Sequence, residues 1–235
     1  MNTQKLSKRL ETVAKYIPEG YKLADIGSDH AYLPCYCITK GIVPFAIAGE
    51  VVEGPYRSAE RQVQQEGLLE KISVRMGDGL EVIHPGEVDC ITIAGMGGTL
   101  IAKILNEGKG KLSSVRRLIL QPNISAISIR VWLIENGWKL VNEEIIEEDA
   151  KIYEILVAEQ GEPMQPYQQE NMDKALLLGP YLMKEKKPAF HNKWSREMVN
   201  WQRILNNLNN APYSVENEQK KAELLNKIEL VKGVL

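Results

Sequence analysis

Asp25, Glu50 and Asp78 each stand at or just beyond the end of a short apolar segment. In an open parallel sheet such ends converge on one crevice, where a carboxylate accepts hydrogen bonds from sugar hydroxyls or an exocyclic amine. Any one of these acids could instead cap a helix or sit in an exposed loop; three at corresponding ends favour a cofactor site. Around the first acid, YKLADIGSDHAYLP over residues 21–34 reads as a strand that breaks at Gly27 into a tight loop feeding a helix. Glycine permits close backbone approach there, and the helix that follows offers unpaired N–H groups. Only Gly27 stands where a G-x-G-x-x-G fingerprint needs three glycines. That argues against a plain NAD site and for another adenosine-containing cofactor.

Two further loops carry candidate groups. Ala94-Gly95-Met96-Gly97-Gly98 could admit a flat substrate, and Gln121-Pro122-Asn123 offers amide donors and acceptors. Either alone would read as a turn built from glycine or proline. The order of the acids and loops resembles an S-adenosylmethionine site.

Alternating elements are needed to position these groups. Residues 4–16 have an amphipathic helical pattern, with Leu6, Leu10 and Val13 on one face, stopped by Pro18 and Gly20. Strands are expected near 22–26, 43–50, 71–80, 88–98 and 116–123, with helices near 31–40, 54–67, from Thr99, and from Ser125 to Asn136. Residues 138–148 and 151–159 read as a hairpin. Strand–helix alternation ending in a hairpin predicts an α/β layered domain and leans toward a methyltransferase-like sheet. The pattern changes at Gln160-Gly161-Glu162-Pro163, which predicts domains at 1–160 and 161–235. Beyond that boundary, Trp194, Met198, Trp201, Leu205 and Leu208 form one seam and Leu224, Ile228, Val231 and Leu235 another. Facing one another, they would make an antiparallel, coiled-coil-like helical appendage.

The chain's 235 residues, 44% hydrophobic and 26% charged, suit one packed domain with an appendage. No run is long and apolar enough to span a membrane, and the N-terminal sequence lacks a signal-peptide core, so a cytoplasmic location is expected. Cys35, Cys37 and Cys90 read as buried small hydrophobes, and His30, His84 and His191 are too dispersed for a metal cluster. The formal net charge of −2 neither announces nor excludes nucleic acid. Its distribution is uneven: residues 184–203 hold six positive side chains and two negative. Such a local field can attract phosphate, although a solvated helix face is the plainer alternative.

Taken in order, these motifs resemble the bacterial tRNA (adenine22-N1)-methyltransferase family. The resemblance rests on Leu6-Ser7-x-Arg9-Leu10, Asp25-Ile26-Gly27-Ser28-Asp29-His30-Ala31-Tyr32-Leu33-Pro34 and Gly77-Asp78-Gly79-Leu80. It continues through Ile93-Ala94-Gly95-Met96-Gly97-Gly98, Leu120-Gln121-Pro122-Asn123 and Lys151-x-Tyr153-Glu154, covering about residues 4–159, with a tail similar to the family's C-terminal domain. It implies a class I methyltransferase, with a Rossmann-like domain and helical appendage, that methylates N1 of adenosine 22 in tRNA. It further implies that Asp25, Gly27, Ser28 and His30 surround the methionine and ribose of S-adenosylmethionine. Glu50 would bind ribose hydroxyls, Asp78 and Gly79 would lie near adenine, and Gly95 near the cofactor edge. Asp29 and Asn123 would face the incoming nucleotide as the catalytic candidates. Lys184, Lys186, Lys187, Lys193 and Arg196 are candidate RNA contacts, as are Lys5, Lys8, Arg9 and Tyr32, although a packed role for Tyr32 is equally open. No metal, membrane or obligatory protein partner is expected. Two other readings compete: a small-molecule methyltransferase whose tail closes over substrate, and a non-enzymatic RNA-binding or assembly protein.

Overall fold

The computed structural model describes residues 3–235 and divides into two compact units, the first closing at Pro166 and the second running Tyr167–Leu235. In the first unit the chain alternates Lys8–Lys15 (α1), Leu23–Ile26 (β1), Tyr32–Thr39 (α2), Ala46–Glu50 (β2), Glu53–Gln65 (α3) and Ile72–Met76 (β3). It continues with Cys90–Gly97 (β4), Gly98–Glu107 (α4), Arg117–Ile124 (β5), Ala126–Glu135 (α5), Trp138–Glu148 (β6) and Lys151–Gln160 (β7). These strands form one seven-stranded sheet in the order β3-β2-β1-β4-β5-β7-β6.

The first five strands pair in parallel, and β7 runs antiparallel to both β5 and β6. β1 lies between β2 and β4, with Leu23 opposite both Ala46 and Cys90. The strand order therefore reverses at β1, and a crevice opens beyond the carboxyl ends of β1 and β4. Every residue of β1 and β2 is buried, as expected for parallel strands covered on both faces. Their apolar side chains join Cys35, Cys37, Cys90, Ile119 and Val157 in the main core. Burial pushes the Cys35 thiol up to about 12 and raises Cys37 and Cys90 as well, so all three behave as inert small hydrophobes. The β6–β7 hairpin turns on Asp149 and Ala150, both at positive φ (51° and 60°), the twist that a two-residue connection demands.

α1 is shorter than its sequence pattern, because Ser7 is extended and acts as its cap, accepting from Leu10 N at 3.2 Å. Glu148, at the end of β6, accepts from the next two free donors, Lys8 N at 2.6 Å and Arg9 N at 3.1 Å. A carboxylate on the first turn of a helix satisfies orphan N–H groups and complements the helix dipole. The hairpin thus holds α1 in register.

The second unit contains Met172–Leu178 (α6), Leu182–Glu185 (α7), Pro188–Asn209 (α8) and Val215–Lys232 (α9). Leu205 of α8 and Leu224 and Ile228 of α9 form a buried cluster, flanked by Trp201, Ile204 and Leu208. The basic stretch 184–203 is not one helix face: Lys186 turns left-handed, at φ 46°, and separates α7 from α8. No described helix is long and apolar enough to cross a membrane.

Candidate active site

At the end of β1, Asp25 is 4% exposed and both its oxygens are engaged. Oδ2 accepts from Ser28 Oγ and Oδ1 from Thr92 Oγ1, each at 2.6 Å. Burial raises its pKa, an effect the two hydroxyls and Arg9 oppose. Gly27 has φ 70°, and a Cβ there would fall 2.2 Å from Met96 Cε. The methionine tip could move aside, but any L side chain would be strained at that φ.

Asp29, His30 and Ala31 follow with φ of 39°, 64° and 54°, three successive non-glycine residues in left-handed conformation. Such backbone costs on the order of 1–3 kcal/mol per residue and persists only where its surroundings hold it. One restraint is Glu50 Oε1, which accepts from Asp29 N at 2.5 Å. Glu50 is 6% exposed, and burial raises its pKa despite that hydrogen bond. His30 Nε2 lies 3.5 Å from Asp29 Oδ1, and the His30 ring stacks on Tyr32 with centroids 5.4 Å apart. Tyr32 also packs against the main core.

Across the crevice, a hydrogen-bonded ring ties the ends of β4 and β5 together. Gln121, fully buried, accepts through Oε1 from Arg9 Nη1 at 2.5 Å and from Gly95 N at 3.0 Å. Its Nε2 donates to Asn123 Oδ1 at 3.3 Å, and Asn123 Nδ2 donates to Gly95 O at 2.8 Å. Gly95 exposes both of its peptide groups to this ring at φ 80°. The Arg9 guanidinium also lies 5.5 Å from the centre of the Tyr153 ring.

These groups enclose a pocket of about 300 Å³ lined by Arg9, Asp25, Gly27, Ser28, Asp29, Gly95, Met96, Asn123 and Tyr153, among others. Glu50 and His30 adjoin it through Asp29. Asp78 and Gly79 do not line it. They face a separate pocket of about 330 Å³ with Glu81, Ile104 and Lys111, and Asp78 forms a reciprocal capping pair with Glu81.

The remaining sequence candidates are dispersed. Lys8 Nζ donates to Glu147 O at 3.0 Å, while Lys5 is an exposed residue ahead of α1. In the second unit Lys184 lies 3.6 Å from Glu170, Lys187 lies 2.8 Å from Glu185, and Lys186 Nζ donates to Val234 O at 2.6 Å. Lys193 sits over the Trp194 ring, and Arg196 follows on α8. Sequence reasoning missed Thr92 and Glu148. It placed Arg9 on a positive edge near the catalytic loop, and Arg9 lines the pocket itself. Arg9's neighbour Leu10 faces the same pocket, and the helical periodicity of α1 alone gave no sign of either.

The family profile described as tRNA (adenine(22)-N(1))-methyltransferase matches residues 23–233. A Bacillus subtilis protein named tRNA (adenine(22)-N(1))-methyltransferase is 53% identical over 235 residues, covering 100% of this chain and 99% of its own length. The crystal structure of the B. subtilis m1A22 tRNA methyltransferase superposes with a TM-score of 0.94 at 52% identity, over 98% of this chain and 99% of that one. A putative tRNA (m1A22) methyltransferase of Streptococcus pneumoniae, solved in complex with S-adenosyl-L-methionine, gives 0.87 at 45% identity, over 98% of this chain and 100% of that one. On the profile match and this end-to-end identity, the chain belongs to the tRNA (adenine(22)-N(1))-methyltransferase family.

Proposed function

We propose that this protein transfers a methyl group from S-adenosylmethionine to N1 of adenosine 22 in tRNA, using the crevice at β1, β2, β4 and β5. The observation that carries this reading is the pairing of two buried strand-end carboxylates, Asp25 and Glu50, with an adjoining pocket lined by Asp29 and Asn123.

The residues present fit the cofactor. Glu50 commits one oxygen to Asp29 N, which leaves Oε2 as an acceptor for ribose hydroxyls. Gly27 and Gly95 bring only backbone to the pocket where methionine would pass, and the flexible tip of Met96 over Gly27 can move aside. Asp25 acts through Ser28, shaping the loop around that methionine, with His30 alongside. Asp78 and Gly79, in the separate pocket just beyond β3, receive the adenine.

When bound, S-adenosylmethionine supplies an electrophilic methyl group. Adenine N1 already carries an in-plane lone pair and needs no prior deprotonation. The protein's task is chiefly to position the base and exclude water. Asp29 places a carboxylate where the base gains positive charge, and charge held there in advance lowers the barrier. N1 lies on the Watson–Crick edge, so the target nucleotide leaves its stack to reach the pocket. Arg9, Lys5, Lys8 and Tyr32 contact RNA beside the entrance. The helices of residues 161–235 form a coiled-coil-like appendage that binds the tRNA body through Lys184, Lys186, Lys187, Lys193 and Arg196. The protein works in the cytoplasm and requires no obligatory protein partner.

The test is nucleoside mass spectrometry after incubating purified protein and labelled cofactor with unmodified tRNA. N1-methyladenosine supports the reading. Cofactor binding without transfer to RNA would favour an assembly role, and transfer to free nucleosides alone would favour a small-molecule enzyme.

A further inference from the structure

The ring joining Gln121, Asn123 and Gly95 has a direction that fixes what the pocket offers to a base. Arg9's guanidinium and the Gly95 N–H can only donate, and both meet the same side-chain atom of Gln121, which must be its carbonyl oxygen. The Gln121 amide nitrogen therefore faces Asn123, and Asn123 must answer with its oxygen. The other end agrees, since the Gly95 carbonyl can only accept and meets the Asn123 amide nitrogen. Amide orientations ordinarily have to be inferred from their neighbours. Here donor-only and acceptor-only groups set both.

Asn123 spends one N–H on Gly95 O, and its oxygen accepts from Gln121. Its second N–H remains, on an exposed side chain that lines the pocket beside Asp29. Asn123 thus offers the pocket one N–H, beside a second lone pair on its amide oxygen. A donor there cannot serve N1 of the target adenine, because it would occupy the lone pair that takes the methyl group. It complements the base's other ring nitrogens, N7 and N3, which are acceptors only.

Resting on the proposed function, we propose that Asn123 reads the target adenine by donating to a ring nitrogen other than N1, N7 or N3, and that Gln121 is a positioning residue that keeps this donor turned toward the base. Arg9 takes part by polarising the relay from its far end, since hydrogen bonds in a chain strengthen one another.

The test uses full-length protein and tRNA carrying adenosine, 7-deazaadenosine or 3-deazaadenosine at position 22, assembled by ligation. Removing a ring nitrogen also alters N1 basicity. The readout is therefore the adenosine-to-analogue ratio of kcat/KM, compared between wild type and Asn123→Ala, in which that intrinsic change cancels. For one analogue the wild-type ratio should exceed the Asn123→Ala ratio about tenfold, as loss of one hydrogen bond predicts. The other analogue should give equal ratios, and the pair identifies which nitrogen is read. Gln121→Glu keeps the acceptor for Arg9 and Gly95 but cannot donate to Asn123, so it should reproduce the Asn123→Ala ratios with unchanged cofactor affinity. Equal ratios for both analogues would overturn the proposal. So would an Asn123→Ala loss that appears wholly in cofactor Kd. A Gln121→Glu protein that keeps the wild-type ratio would overturn the relay. No methylation of the natural tRNA by wild type would defeat the proposed function itself, and this inference with it.

Discussion

The backbone N–H of Asp29 donates to the Glu50 carboxylate across 2.5 Å, joining the strained loop after β1 to the buried acid at the end of β2. Glu50 therefore has two tasks in the proposed site: one oxygen restrains Asp29, and the other is available to the cofactor's ribose. Glu50→Ala should weaken S-adenosylmethionine binding by about ten- to a hundredfold, the range for hydrogen bonds to a charged acceptor. Calorimetric titration of the folded variant checks this, and an unchanged Kd would remove Glu50 from the site.

The raised pKa of Glu50 gives a pH dependence whose sign differs between binding and stability. Its folded value lies above its unfolded one, so its contribution to stability is fully present below the unfolded pKa and is lost as pH rises through the folded pKa. Near neutrality the buried charge is a cost, and Glu50→Gln, which keeps an acceptor for Asp29 N, should melt at a higher temperature than wild type. Ribose binding needs the charged form, so cofactor Kd should rise on acidification while the pH is still above the ordinary carboxylate range. A Kd flat from about pH 7.5 to about pH 5 would contradict this.

The sheet and its helices were largely legible in the residues. The apolar runs of β1, β2, β4 and β5 mark buried strands without knowledge of their neighbours, helped by the glycines at the ends of β1 and β4 and by Pro122 in β5. Strand order was not legible, because β7 inserts between β5 and β6, a choice made by pairing across the sheet rather than by local pattern. The acids Asp25 and Glu50 could be found from their strand-end positions. Thr92 and Gln121 owe their roles to the adjacency of β1, β4 and β5, which no spacing along the chain encodes. The cluster of Arg130, Glu143 and Glu154 escaped the sequence for the same reason. All three residues are buried, and Arg130 Nη2 lies 2.6 Å from Glu143 and 2.7 Å from Glu154.

That cluster ties α5 to β6 and β7, the hairpin that carries Tyr153 and Glu148. Arg130→Met should destabilise the protein by about 3–5 kcal/mol, because removing one partner strands buried charge. Denaturant melts of wild type and variant check it. A change below about 1 kcal/mol would show that the carboxylates are neutralised by other means.

Replacing Lys184, Lys186, Lys187, Lys193 and Arg196 with glutamine should weaken tRNA binding and flatten its salt dependence, while leaving cofactor Kd unchanged. The pair Lys187–Glu185 is exposed and Lys184–Glu170 is partly so, and such pairs are weak enough to exchange a carboxylate for phosphate. Equal salt slopes for wild type and variant would count against an RNA-contacting role for these side chains.

Asp29→Asn removes a carboxylate while keeping most of its volume and the backbone N–H that Glu50 holds. Single-turnover methylation at saturating cofactor and tRNA should slow by about tenfold or more, with both affinities nearly intact. A loss confined to cofactor affinity would mean that Asp29 only shapes the loop.

A methyl group transferred to N1 of an adenosine blocks its Watson–Crick edge. Reverse transcription across unmodified tRNA, after incubation with protein and S-adenosylmethionine, reads that block directly. A cofactor-dependent stop is expected immediately 3′ of adenosine 22, absent when position 22 is replaced by another base. Full-length read-through, or a stop at a different adenosine, would contradict the proposed transfer.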